Sequence, residues 1–260
     1  MNNINRELAQ KMDRRDILYG TVLNIGAPIV TELLAQSGFD ILWLDMEHTA
    51  IGVEAVLNNL IAARSGGAAA WVRVPWNDPV LVKPIMDMGA DGIIFPFIRT
   101  VDEAKLAAEA CTYPPHGIRG FGPYRAADYG RISLEEYVGG KARDCRRIIQ
   151  IEHIDAVRNL REIAAIEGID GFIVGPCDLS ASIGKLGQLR CDEMLALYQE
   201  IGQVLREAGK PSGIYAGNYN KEYIQQFIDM GFTMFFNSSD YTLLYQSATD
   251  MIRNFRENFC

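Results

Sequence analysis

The stretch that decides the fold is QIEHIDAVRNLREIAAIEGIDGFIVGPCDLSASIG, residues 150–184. Glu152 follows one short apolar run, and Asp178 follows a second one that contains Phe172 and Val174. A segment of helical length separates the two runs, and this order is typical of a parallel strand–helix–strand unit. Consecutive parallel strands end at the same edge of a sheet, about 4.8 Å apart. The pattern therefore predicts that the two carboxylates converge.

The same alternation of strand and helix repeats along nearly the whole chain. Eight such units in 260 residues predict a single (β/α)8 barrel domain over residues 1–260 rather than an open sheet. No G-x-G-x-x-G motif follows the first strand, which argues against dinucleotide binding. The predicted strands are Leu18–Asn24, Asp40–Asp45, Ala69–Val74, Gly92–Phe97, Arg147–Glu152, Gly171–Gly175, Ser212–Ala216 and Thr233–Asn237. The segments with helical periodicity include Val53–Arg64, Pro79–Met88, Asp102–Cys111, Ile154–Ala165, Asp192–Ala208 and Lys221–Met230.

Charge and composition argue against several classes of protein. The formal net charge is -8, and no cluster of Lys and Arg is long enough to follow phosphates, so we expect neither a nucleic-acid nor a membrane partner. No apolar run reaches the roughly 18 residues of a membrane span, and the charged start lacks the apolar region of a signal peptide. Five cysteines without C-x-x-C spacing fit a reduced, cytoplasmic chain.

One connection, Tyr113–Lys141, is longer than usual and rich in Gly, Pro, Tyr and Arg. Connections of this length are commonly functional or disordered. The alternative is a surface excursion that packs against a neighbouring subunit. The sequence leaves both interpretations open.

Polar residues at the ends of the predicted strands form a candidate site, because active sites of such barrels lie there. Glu152 and Asp178 would repel each other unless a cation lay between them, which suggests Mg²⁺ or Mn²⁺. Alternatively, each acid pairs with a base, or Asp178 caps a helix. Arg73, within a strand, requires an anionic partner, either a bound oxyanion or an acid. His48 follows a strand, but a lone histidine is more commonly a packed or surface residue.

Three more residues lie close in sequence to the candidate site residues. Gln150 shares one strand face with Glu152, since side chains alternate along a strand. Glu47 could equally well be an acid at the start of a helix. Cys177 has no base beside it in sequence, and we predict a packing thiol rather than a nucleophile.

The motifs LDMEH, VRVPWND, MDMGADGIIFPFI, YPPHGIRG, IIQIEH and GIDGFIVGPCDLSASIG occur in this order. Together they resemble the HpcH/HpaI family of class II, metal-dependent 2-oxo-acid aldolases, over roughly residues 18–236. That family includes 4-hydroxy-2-oxoheptanedioate and 2-dehydro-3-deoxyglucarate aldolases. The resemblance implies a (β/α)8 barrel of the phosphoenolpyruvate/pyruvate-binding type. It also implies a homo-oligomer, a hexamer or trimer, whose last helix is commonly exchanged between subunits.

The resemblance also implies roles for individual residues. Glu152 and Asp178 match the ligands of a divalent metal, Mg²⁺ or Mn²⁺ and possibly Co²⁺, and Asp178 also lies in the substrate pocket. His48 matches the base and Arg73 the arginine that stabilises the transition state. Asp87 matches the acid that raises the basicity of this histidine, and we expect it to come from a neighbouring subunit. Among the substrate-binding positions, Gln150 matches a contacting glutamine, and Cys177 matches a residue whose backbone amide binds the substrate carboxylate.

The implied reaction is the reversible cleavage of a 4-hydroxy-2-oxo acid into pyruvate and an aldehyde through a pyruvate enolate. No lysine at a strand end offers a Schiff base. The sequence departs from the family at His153, where Thr is common, at Cys177, where Ala is common, and at Tyr215, where Leu is common. Tyr215 would stand near the aldehyde end of the pocket and argues against a long acceptor derived from a dicarboxylate. The alternatives are a citrate-lyase-type lyase, an oxaloacetate decarboxylase and a non-catalytic 2-oxo-acid-binding protein.

Overall fold

The chain forms a closed barrel of eight parallel strands in the order β1 to β8, with β8 paired to β1. The structure, a computed structural model, describes residues 3–217 and 219–259. The predicted (β/α)8 barrel is confirmed, and the strands lie where the apolar runs placed them. They are β1 (Leu18–Leu23), β2 (Ile41–Asp45), β3 (Ala69–Arg73), β4 (Gly92–Phe95), β5 (Arg146–Ile151), β6 (Gly171–Val174), β7 (Ser212–Gly217) and β8 (Met234–Ser239).

Helices connect the strands and cover the outside of the barrel. The prediction of one continuous helix over Ile154–Ala165 is wrong, because the chain leaves helical geometry at Asn159. The Asn159 side-chain amide donates there to the carbonyl of Arg99 at 2.8 Å. The helices are α1 (Asn3–Asp13), α2 (Pro28–Gln36), α3 (Val53–Gly66), α4 (Pro79–Asp87), α5 (Val101–Ala110), α6 (Leu134–Gly139), α7 (Ile154–Arg158), α8 (Leu160–Ala164), α9 (Pro176–Ser182), α10 (Asp192–Glu207), α11 (Lys221–Met230) and α12 (Asp240–Phe259). Among the described residues, no helix is both long and apolar enough to cross a membrane.

The apolar core has two layers because side chains alternate along each strand. One layer lies between the strands and the surrounding helices. The other fills the inside of the barrel and includes Trp43, Trp71 and Phe236. In the register of β2 and β3, Trp43 lies opposite Trp71 and Asp45 lies opposite Arg73. The inner apolar layer therefore lies directly beneath these two charged residues.

The first and last strands close the barrel. The Asp240 carboxylate, at the start of α12, accepts hydrogen bonds from the backbone N–H groups of Asn24 at 3.0 Å and Ile25 at 2.9 Å. These contacts hold the loop after β1 against the end of β8. Beyond this point α12 packs little, since Asp240 is its only buried residue.

The long connection over residues 113–141 packs against the end of α4 in its own chain. Its Ala126 N–H donates to the Asp87 carbonyl at 3.1 Å, and the Arg125 guanidinium donates to the Met88 carbonyl at 2.6 Å. The connection contains α6 and a 3₁₀ turn at Asp128–Gly130, and a second 3₁₀ turn, Lys141–Arg143, begins at its last residue. It joins the end of α5 to the start of β5, so it lies at the amino ends of the strands.

Candidate active site

Arg73 lies at the carboxyl end of β3 and is bound by two acids. The Asp45 carboxylate accepts two hydrogen bonds, from Nε at 2.9 Å and from Nη2 at 2.7 Å. Glu47 Oε2 lies 2.9 Å from Nη1, and Gln150 Oε1 lies 3.5 Å from the same nitrogen. The anionic partners that the sequence required for Arg73 are therefore Asp45 and Glu47. Below them, the guanidinium carbon lies 5.0 Å from the centre of the Trp43 ring.

Glu152 follows the last residue of β5 and is almost fully buried, with 1% of its surface exposed. Its Oε1 accepts the backbone N–H of Phe97 at 2.6 Å, and its Oε2 accepts a short hydrogen bond from the Gln150 amide. Phe97 has a φ of 52°, a conformation that is uncommon outside glycine and often marks functional sites. Gly175 leaves room for these groups, since a Cβ there would lie 2.8 Å from Glu152 Oε2.

Asp178 lies in the first turn of α9. Gly175 is the residue that caps this helix, so the alternative of Asp178 as its N-cap is wrong. In the described part of the chain, no basic side chain forms an ion pair with Asp178 or Glu152. The two acids therefore lack an ion-pair partner, and Glu152 feels the charge of Arg73 only from a distance.

The electrostatics of the acids support this interpretation. Burial raises the pKa of Glu152 to about 7. The Phe97 N–H and the charge of Arg73 lower it, and the charges of Glu47 and Asp178 raise it. Burial likewise raises the pKa of Glu47 to about 7, with Arg73 acting in the opposite direction. Three carboxylates thus lie within electrostatic reach of one another, and a divalent cation would relieve their repulsion.

The carboxylate oxygens of Glu152 and Asp178 fit a hard cation that also binds water and substrate. Over residues 3–217 and 219–259, no cluster of three or more His, Cys, Asp or Glu forms a complete metal cage. Two carboxylates, Glu152 and Asp178, would leave several positions for water and substrate. This is the usual arrangement for Mg²⁺, which retains waters and binds few protein carboxylates.

His48 lies at the same end of the barrel and is exposed. Its Nε2 is 3.6 Å from Glu47 Oε2, and its backbone N–H points to Asp45 Oδ1 at 3.4 Å. Asp87, by contrast, ends α4 at the opposite end of the barrel. Its Oδ1 accepts a hydrogen bond from Nη2 of the buried Arg119 at 2.8 Å. The structure therefore brings His48 to the acids and leaves Asp87 away from them within one chain.

Cys177 and His153 lie beside the two acids, and the structure shows the surroundings of both. Cys177 is exposed, so the prediction of a packing thiol is wrong. His153 caps α7, since its Nδ1 accepts the backbone N–H of Asp155 at 3.2 Å. Thr is also a good helix cap, which explains how His153 can stand where the family commonly has Thr. Cys260 lies outside the described residues.

Asp45 and Glu47 were not among the predicted site residues. A signal for them exists in the sequence, because β2 ends with Asp-Met-Glu and alternation puts both acids on the same face. Arg73 ends the next strand at the same level. Comparing the ends of these two strands, rather than reading each alone, would have found the pair.

Comparisons with known proteins agree with this geometry. Residues 20–246 match the family model described as HpcH/HpaI aldolase/citrate lyase. The chain belongs to the HpcH/HpaI family. It is 35% identical to a 4-hydroxy-2-oxo-heptane-1,7-dioate aldolase from Klebsiella pneumoniae, over 99% of this chain and 96% of the relative. It is 39% identical to a 5-keto-4-deoxy-D-glucarate aldolase from Escherichia coli, over 73% of each chain.

A solved HpcH/HpaI structure confirms the fold. The protein, from Burkholderia cenocepacia, has a TM-score of 0.90 and 31% identity, with 96% of this chain and 99% of that chain covered. HpcH/HpaI aldolases generally depend on a divalent metal and act on small molecules. The family model and the two relatives, both named as aldolases, confirm the prediction of an aldolase of this family.

Proposed function

We propose that this HpcH/HpaI aldolase reversibly cleaves a 4-hydroxy-2-oxo acid into pyruvate and an aldehyde. The observation that carries the proposal is the position of Arg73. Two hydrogen bonds to Asp45 hold its guanidinium at the carboxyl end of the barrel, where the buried Glu152 also lies. The relatives named as aldolases of 2-oxo acids support the same substrate class.

The chemistry requires a stabilised negative charge. Cleavage of the carbon–carbon bond leaves a pyruvate enolate, and its oxygen needs a positive group that is already in place. Arg73 supplies that group. His48, exposed at the same end of the barrel, would accept the proton of the C4 hydroxyl and return it in the reverse direction.

We further propose that Glu152 and Asp178 hold the divalent cation, with Mg²⁺ or Mn²⁺ preferred and Co²⁺ accepted. When bound, the cation supplies Lewis acidity to the 2-oxo acid. Gln150 holds Glu152 in position through its amide. The backbone N–H of Cys177, in the first turn of α9, would bind the substrate carboxylate, because the first N–H groups of a helix lack partners within it.

Tyr215 bears on the aldehyde. It is partly buried and packs against the apolar cluster inside the barrel. A bulky ring there would shorten the pocket, so we expect short aldehydes to be better acceptors than succinic semialdehyde.

The assembly is also part of the proposal. Helix α12 exposes Leu244, Tyr245, Met251 and Phe255, and large apolar side chains exposed together on one helix are typical of interaction surfaces. We propose a homo-oligomer, a hexamer or trimer, in which α12 packs against another subunit. Residues 1–260 would form one domain, and the cysteine pattern supports a cytoplasmic location.

The test is an aldol screen with the purified full-length protein. Pyruvate is incubated with a panel of short and long aldehydes, with Mg²⁺, Mn²⁺ or Co²⁺, and with EDTA. Mass spectrometry should detect 4-hydroxy-2-oxo acids only when metal is present. Full activity in a chelated, metal-free sample would contradict the metal site. Decarboxylation of oxaloacetate or cleavage of a CoA thioester without any aldol product would favour the alternative lyases.

A further inference from the structure

Trp43 lies directly beneath the charged end of β2 and β3. It is one layer below Asp45 on the same strand face, and Asp45 in turn lies opposite Arg73. The indole is almost fully buried, with 3% exposed. Phe236 packs edge-on against it, with ring centres 5.3 Å apart and planes at 87°. The ring therefore has a fixed orientation under the guanidinium.

The two hydrogen bonds between Arg73 and Asp45 do not by themselves restrain every motion of the guanidinium. Asp45 binds Nε and Nη2, and this two-point contact fixes the guanidinium within the plane of the fork. Tilting about the axis through those two bonds would still move the remaining nitrogen, Nη1. Glu47 Oε2 lies 2.9 Å and Gln150 Oε1 lies 3.5 Å from that nitrogen, so these contacts restrain the tilt in part. A flat surface against one face of the guanidinium would limit the tilt.

We propose that Trp43 is a positioning residue, which holds Arg73 at its working angle through a cation–π contact. The distance of 5.0 Å from the guanidinium carbon to the ring centre is within the roughly 6 Å over which such contacts are significant. This inference rests on the proposed function and deepens it. Arg73 can stabilise a developing charge only if it does not have to reorient during the reaction.

Core packing alone is the competing explanation for Trp43, and Trp71 offers a matched control. Trp71 is also buried and lies opposite Trp43 in the neighbouring strand. It also packs on Phe236, with ring centres 6.2 Å apart. Within the described residues, the guanidinium of Arg73 lies over the ring of Trp43 and forms no cation–π contact with Trp71. Packing predicts similar losses at the two tryptophans, whereas positioning predicts a selective loss at Trp43.

The readout is the exchange of pyruvate methyl protons in D₂O, followed by NMR on the Mg²⁺-loaded full-length enzyme. Exchange reports enolate formation and needs no known aldehyde. Trp43→Leu should lower the maximal exchange rate about 3- to 30-fold, the range that a cation–π contact supplies. The KM for pyruvate should change little. Trp43→Phe should be intermediate, and Trp71→Leu should retain the rate.

Fluorinated tryptophan separates electrostatics from shape. The chain has three tryptophans, so in a Trp71→Phe, Trp76→Phe background Trp43 alone takes up 5-fluoro- or 5,7-difluorotryptophan. Each fluorine withdraws electron density from the ring face, weakening its attraction for a cation while nearly preserving its volume. The exchange rate should fall stepwise with the number of fluorines, and the folded state should persist.

The outcomes distinguish this inference from the proposed function. Absence of exchange by the unsubstituted enzyme would contradict the proposed function and the role of Trp43 together. Normal exchange by the unsubstituted enzyme with a constant rate across the fluorinated series would overturn the role of Trp43 alone. An equal loss of rate in Trp43→Leu and Trp71→Leu would do the same.

Discussion

Asp45 and Arg73 are register partners at the ends of neighbouring strands, and two hydrogen bonds of 2.9 and 2.7 Å join them. The planar fork of Arg73 matches the carboxylate, which makes the contact strong and directional. Both residues are buried. Removing Arg73 would leave Asp45 and Glu47 as buried acids without their ion-pair partner, and removing Asp45 would leave Arg73 with Glu47 alone. The two residues therefore act as a unit in stability as well as in chemistry.

Arg73→Ala should lower kcat by roughly 10²- to 10³-fold, as for the loss of an oxyanion donor. Arg73→Lys should retain only part of the wild-type kcat, because an ammonium cannot keep the two-point contact with Asp45. Steady-state kinetics on folded variants provide the measurement. Arg158→Ala, at an exposed ion pair with Asp155, is the control and should retain activity. An unchanged kcat in folded Arg73→Ala would assign Arg73 a purely structural role.

Gly175→Ala should weaken binding of the divalent cation while leaving the barrel folded. The new Cβ would lie 2.8 Å from Glu152 Oε2 and 2.9 Å from Gln150 Nε2, so both side chains must move. Calorimetric titration with Mn²⁺ measures the affinity. Gly52→Ala is the matched control, because its Cβ would meet nothing within 4 Å. Equal affinities in the two variants would argue against Glu152 as a ligand.

Glu152 should make the metal-free protein less stable as pH rises from about 4.5 to about 7. Burial raises its folded-state pKa from 4.5 to about 7, so the folded state binds more protons than the unfolded state in this window, and raising the pH favours unfolding. Glu152→Gln lacks this contribution. In EDTA, the melting temperature of Glu152→Gln minus that of the wild type should therefore increase as pH rises. Addition of Mg²⁺ should raise the melting temperature of the wild type more than that of Glu152→Gln. A constant difference across the window would contradict the shift.

His48 and Asp87 should pair across a subunit boundary, since one chain places them at opposite ends of its barrel. An acid beside the imidazole fixes its tautomer and raises its basicity. Asp87→Asn should therefore move the acid limb of the pH–rate profile downward. Mixing the impaired His48→Ala and Asp87→Asn proteins under subunit exchange should raise the activity above that of either protein alone, because some interfaces then carry both unsubstituted residues. Exchange shown by mass spectrometry without recovered activity would exclude the pairing.

Arg119→Met should lower the free energy of unfolding by about 3 kcal/mol, because it leaves the partly buried Asp87 without its ion-pair partner. Arg119 is nearly inaccessible and also donates to the Tyr137 hydroxyl at 3.2 Å. The control is Arg131→Met, at an exposed ion pair in the same connection. This change should alter the free energy of unfolding by less than about 0.5 kcal/mol. Urea denaturation measures both, and similar losses would show that Arg119 does not anchor the connection.

Most of the fold was predictable because parallel barrel strands are buried on both faces and appear as short apolar runs. Strand β6, for example, is GFIV between Asp170 and Gly175 and is fully buried. The break at Asn159 was not predictable, since it coincides with a hydrogen bond to Arg99, 60 residues away in sequence. Helical periodicity alone does not report such a contact.

The candidate site was predictable in part. Glu152 and Asp178 were found because each follows an apolar run, and Arg73 because a charge within a strand needs a partner. Which acid would pair with Arg73 depends on the register between β2 and β3, and register is a property of the folded sheet. The exposure of Cys177 depends likewise on how α9 packs after β6. Local sequence does not determine either feature.

The pairing of β1 with β8 has a consequence for synthesis on the ribosome. The contact between Asn24 and Asp240 spans 216 residues, and at about 5–20 residues per second that length takes roughly 10–40 s to translate. During this time β1 lacks one of its two neighbours, and an unpaired strand edge invites association with other chains. The nascent chain must therefore reach its last strand before the first is protected. Premature termination anywhere before β8 would release a polypeptide with an open edge, a natural substrate for chaperones and proteases.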